Sequence, residues 1–76
     1  MSVRFPRVTA RETILALEKS GFGFSRQSGS HKIYKNAAGR RVTVPLHSGQ
    51  ILHPKLLKSI LRDAELPVER FRNLIR

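Results

Sequence analysis

Residues 22–45, FGFSRQSGSHKIYKNAAGRRVTVP, decide the fold. Three short runs with strand composition are separated by two turn signals. Phe22 to Gln27 forms the first run, with Phe22 and Phe24 on one face and Gly23 and Ser25 on the other. Ser28-Gly29-Ser30 is a turn, and His31 to Lys35 alternates as a second strand. Asn36-Ala37-Ala38-Gly39 is a compact hairpin connection in which Gly39 supplies a positive φ. Arg40 to Val44 is a third strand rich in β-branched residues, and Pro45 stops it. Connections this short force antiparallel pairing.

Helices flank the strands. Thr9-Ala10-Arg11-Glu12 has capping-box spacing, in which Thr9 and Glu12 satisfy each other's backbone N–H groups. Ala10, Ile14 and Leu17 follow at helical spacing, Leu15 widens the apolar stripe, and Ser20-Gly21 ends the helix. After a loop from Leu46 to Ile51, Pro54 suits the first turn of a second helix. Its stripe comprises Leu56, Leu57, Ile60, Leu61 and Ala64. Pro67 starts a short third helix with Val68, Phe71, Leu74 and Ile75 on one side. Residues 1–8, with Pro6 and flanking arginines, read as an N-terminal arm. The expected architecture is α+β: one domain over residues 1–76, a two-layer sandwich ordered α-β-β-β-α with a short C-terminal helix. That is the element order of double-stranded RNA-binding domains, although fold alone does not decide function.

Charge narrows the partners. The chain carries 15 Lys+Arg against 5 Asp+Glu, a formal net charge of +10. No acidic residue occurs between Lys19 and Arg62. Such a surplus speaks to partners rather than fold, and polyanions lead, because each neutralised phosphate releases counterions. No stretch approaches the length of a membrane-spanning helix. The start of the chain lacks the apolar core of a secretory signal, and there is no cysteine, so a cytoplasmic protein is expected.

Gly29-Ser30-His31 stands out within this basic field. RNA carries its own nucleophile, the 2′-OH. It is cleaved without metal once that proton is removed, the crowded phosphate is stabilised and the leaving oxygen is protonated. Histidine serves as base or acid because its ordinary pKa lies near physiological pH. Arg26, Lys32, Lys35, Arg40 and Arg41 then supply a phosphate surface, and His47 is a candidate lining residue of the same groove. Gly29 allows a tight turn or a close approach by phosphate, while Ser30 orients His31, donates to phosphate, or serves the turn alone. No cofactor is expected, and the spacing of His31, His47 and His53 matches no zinc pattern. Strand parity puts His31, Ile33 and Lys35 on one face and Lys32 and Tyr34 on the other. Parity does not say which face meets the helices.

These residues carry a family resemblance. Gly29-Ser30-His31 with Tyr34, then Gly39-Arg40-Arg41-Val42-Thr43-Val44-Pro45, His47-Ser48-Gly49 and Leu56 through Ala64 occur in order across residues 9 to 75. The series resembles the HicA toxins, the RNA-cleaving halves of toxin–antitoxin pairs. The family often has Gly where this chain has Glu65, and a Ser or Thr cap where it has Pro67. The resemblance implies a double-stranded-RNA-binding-like fold, endoribonuclease activity on mRNA, a HicB antitoxin as partner, and a catalytic role for His31. A non-catalytic RNA-binding module of the same fold is the competing expectation. A DNA-reading role fits less well, because the second helix lacks the Asn, Gln and Arg cluster that reads base edges.

Overall fold

The computed structural model describes residues 5–46 and 49–75. Its elements are α1 (Ala10–Lys19), β1 (Gly23–Ser28), β2 (His31–Lys35), β3 (Arg41–Pro45), α2 (Pro54–Ala64) and α3 (Val68–Leu74). The strands form one antiparallel sheet in the order β1-β2-β3, and the helices cover one of its faces. This is the α-β-β-β-α order with a short C-terminal helix that the sequence predicts. Among the described residues no helix is long and apolar enough to cross a membrane.

Local chemistry sets the boundaries. The Thr9 hydroxyl accepts from the Glu12 N–H at 3.2 Å, and the Glu12 carboxylate accepts from the Thr9 N–H at 2.9 Å, so the capping box forms in full. Two central residues, Gly29 and Ser30, join β1 to β2, with Gly29 at φ 58. A positive φ at the first central position is what a type II′ hairpin turn requires. The β2–β3 connection closes through Gly39 N–H to Asn36 carbonyl at 3.0 Å and Arg40 N–H to Asn36 Oδ1 at 2.9 Å.

α1 and α2 end in the same way. At α1, Gly21 takes φ 103, and the Phe22 N–H reaches back to the Leu17 carbonyl at 2.9 Å. At α2, Glu65 takes φ 54, and the Leu66 N–H reaches the Leu61 carbonyl at 2.9 Å. Both are Schellman closures, each with a buried apolar pair beneath: Phe22 with Leu17, Leu66 with Leu61.

The core joins Leu17, Leu57, Ile60 and Phe71 of the helices to Tyr34, Val42 and Val44 of the sheet. Three expectations need adjustment. Leu15 does not widen the buried stripe of α1: it is 48% exposed. Thr13 is buried in that helix instead, its hydroxyl donating to the Thr9 carbonyl at 2.9 Å. Of the two phenylalanines assigned to one strand face, Phe22 precedes β1 and is buried, while Phe24 is 55% exposed. The described part of the expected arm is tied down, because Val8 is a core residue whose carbonyl accepts from the Leu52 N–H at 2.8 Å.

Candidate functional site

The helices decide which sheet face is free. Tyr34 and Val42 pair across β2 and β3, and both lie in the helix-covered core. Lys32 and Val44 pair on that same side. Alternation then turns His31, Ile33 and Lys35 to the opposite, open face. His31 is exposed there, as the first residue of β2.

Pairing supplies its neighbours. Across β1, His31 faces Ser28, and Ile33 faces Arg26. Across β3, His31 faces Pro45, Ile33 faces Thr43, and Lys35 faces Arg41. The open face is therefore a grid with His31 at one end, Arg26 beside its middle, and Lys35 with Arg41 at the other end. Arg26 is a diagonal neighbour of His31, at a Cα separation of about 7–8 Å for such positions. An arginine side chain spans that gap. Arg26, Lys35 and Arg41 are all exposed. Ile33 is buried at the centre of this face yet stands outside the main core.

A slip in β1 creates the arrangement. Gly23 and Phe24 pair in register with Lys35 and Tyr34, but Ile33 pairs with Arg26, leaving Ser25 as an extra residue. Such a bulge turns every later residue of β1 to the other face. Without it Arg26 would lie on the side of Phe24; with it, Arg26 joins His31.

Among the described residues no carboxylate shares this face. The five acidic residues, Glu12, Glu18, Asp63, Glu65 and Glu69, all lie in the helices or at their ends. Three cations and an imidazole thus stand on an open surface without a local counter-charge. Such a surface accommodates an extended polyanion better than an enclosed small molecule.

The other candidates are distributed differently. Gly29 and Ser30 form the turn that starts β2, and the Ser30 carbonyl accepts from the Leu46 N–H at 2.6 Å. Lys32 lies on the helix side, its ammonium 5.8 Å from the centre of the Phe24 ring. Arg40 turns toward the end of α2: its Nε donates to the Asp63 carbonyl at 2.7 Å, and its guanidinium pairs with Glu65 at 3.3 Å. A cation at a helix C-terminus is favourably placed. Of the adjacent arginines, Arg41 is the one on the open face. His47 lies outside the described residues. His53 caps α2, its Nδ1 accepting from the Lys55 N–H at 3.1 Å.

Among the described residues the shifted group is Tyr34. Burial raises the pKa of its phenol, and the nearby Glu18 carboxylate adds to the rise.

A family model described as the HicA toxin of bacterial toxin-antitoxin matches residues 10–66. That stretch runs from the first residue of α1 to just past the end of α2 and contains every open-face residue named above. A search of curated proteins found no match.

Proposed function

The chain belongs to the HicA toxin family of toxin–antitoxin systems, and we propose that it acts in the cytoplasm as an endoribonuclease on mRNA. His31 is the proton-transfer group, and no metal takes part. The observation that carries this reading is the exposure of His31 on a cationic sheet face that lacks carboxylates.

The chemistry uses the RNA's own 2′-OH. Its oxygen attacks the adjacent phosphorus as the P–O5′ bond breaks. The 2′-OH proton leaves to a base, and a proton reaches the departing 5′ oxygen. His31 fills one of these two roles, with water serving the other. Arg26 is the open-face cation nearest His31 in the grid and stabilises the charge developing on the phosphate oxygens. Lys35 and Arg41, farther along the face, hold flanking phosphates. Gly29 and Ser30 present the imidazole at the start of β2. One histidine without a second dedicated acid or base makes a slow enzyme. A HicB-type antitoxin is the neutralising partner.

The products test the mechanism. Purified protein incubated with an end-labelled mRNA fragment should leave a 2′,3′-cyclic phosphate and a 5′-OH. The fully 2′-O-methylated copy should bind and remain intact. Fragments carrying 5′-phosphates, or cleavage of the methylated strand, would contradict the reading.

A further inference from the structure

Arg11, Ile14, Leu15 and Glu18 are spaced to share one face of α1. That face walls a hollow of about 680 Å3, and Lys32 and Tyr34 of β2 stand across it. Its volume suits a small planar group. The lining mixes two kinds of side chain. Leu15 and Leu46 are aliphatic, whereas Glu18, Tyr34, Arg11 and Lys32 bring a carboxylate, a phenol and two cations. Among the described residues the one ion pair is Arg40 with Glu65, so Glu18, Arg11 and Lys32 line the hollow without pairing to one another. Glu18 and Tyr34 lie close enough for the carboxylate charge to act on the phenol. A hydroxyl donor therefore stands beside a group that can only accept. The hollow also reaches the His31 end of the sheet from the helix side. Its wall residues Lys32 and Leu46 directly follow His31 and Pro45, which pair at that end.

We propose that this hollow is a guanine subsite for single-stranded RNA. Guanine presents an O6 acceptor next to the N1–H and N2–H donors. The Tyr34 hydroxyl donates to O6, and the two Glu18 oxygens accept from N1–H and N2–H. The other bases match less well. Adenine and cytosine set a lone pair beside their amino group, and uracil flanks its one N–H with two carbonyls, so each turns an acceptor toward Glu18. Leu15 and Leu46 cover the faces of the base, and Arg11 and Lys32 take its flanking phosphates. A protein side chain is a poorer occupant. An aliphatic one buries the Glu18 carboxylate unpaired, an acidic one meets it as a like charge, and a basic one approaches a chain of net charge +10. RNA as the ligand rests on the ribonuclease reading, and the subsite gives that reaction a base preference near the cut.

Binding of fully 2′-O-methylated oligouridine tests this without cleavage. The strand is used plain, or with a single guanine, hypoxanthine or adenine at its centre, so the phosphate contribution is common to all. The wild-type protein should bind the guanine strand about 10-fold more tightly than the adenine or plain strand, as a bidentate base contact provides. Hypoxanthine lacks the 2-amino group and should fall between. Glu18→Gln, at an exposed position, should bring guanine down to the adenine level. Equal affinity for all the strands overturns the proposal, and is the result expected if the hollow takes a protein side chain instead. So does a Glu18→Gln protein, unchanged in circular dichroism, that keeps the guanine preference or loses affinity for every strand alike. A guanine preference together with undiminished cleavage by His31→Ala leaves the subsite standing, and only the ribonuclease reading fails. Cleavage that depends on His31 without any base preference sinks the subsite alone.

Discussion

Glu65→Gly should stabilise the protein relative to Glu65→Gln, although both remove the same charge. Glu65 holds φ 54 in the position that Gly21 fills at the end of α1. A side chain there brings Cβ too close to the following carbonyl, at roughly 1–2 kcal/mol. Glycine relieves that clash but widens the unfolded ensemble by about 0.4–1 kcal/mol. The net gain is about 0.5–1 kcal/mol from the backbone. Against it stands the Arg40–Glu65 pair, with side chains 38% and 69% exposed. So exposed a pair contributes about 0.2–1 kcal/mol and is screened by salt. Glutamine keeps the clash and loses the pair, so it should be less stable than wild type by that small amount. Glycine loses the pair and the clash together, so it should lie near wild type or above it. Differential scanning calorimetry at one ionic strength reads the contrast. At about 4–8 °C per kcal/mol for a domain of this size, the glycine variant should melt ~2–8 °C above the glutamine variant. Equal melting temperatures, or a more stable glutamine variant, would refute the claim that Glu65 occupies a glycine position under strain.

Three further outcomes follow from named contacts. Tyr34 is the chain's one tyrosine, so absorbance near 295 nm reports it cleanly. Burial, then Glu18, raises its pKa above the ordinary 10.0. The folded state therefore keeps this proton longer than the unfolded state. The resulting stability is intact below pH 10 and is lost as pH rises through the folded pKa. Native titration at or below 10 would be contrary. Phe71 is fully buried although it lies beyond the matched residues 10–66. Phe71→Ala should cost about 3–5 kcal/mol in chemical denaturation, and a loss under 1 kcal/mol would show that α3 is dispensable to the core. Arg41→Ala should weaken RNA binding and lower the salt slope by about 0.7 on a single strand. An unchanged slope would remove Arg41 from the phosphate surface.

Short-range signals were legible where both partners lie close in the chain. Thr9 and Glu12 announce the start of α1, Gly29 and Gly39 mark the two hairpins, and the apolar period of α2 identifies its buried face. Pairwise geometry at longer range was not. Ile33 and Tyr34 are adjacent, apolar and both buried, so parity alone could not orient His31. The answer depended on which face the helices cover. The bulge at Ser25 leaves no trace in composition, yet it sends Arg26 to the open face. Arg40 and Arg41 look alike in sequence. They differ because the end of α2 takes one of them through Asp63 and Glu65, both distant in the chain. Thr13 is polar yet buried, because its hydroxyl finds its acceptor one helical turn back and makes burial tolerable. Leu15 looked like core for the opposite reason: hydrophobicity does not reveal that nothing covers it.

Single-turnover cleavage of an RNA fragment by wild type and His31→Ala tests the central claim most directly, with binding measured in parallel. If the imidazole at the head of β2 transfers the proton, the variant should cleave about 10²- to 10⁴-fold more slowly while binding RNA equally well. Undiminished cleavage by a folded His31→Ala protein would contradict it, and the open face would then be a binding surface alone.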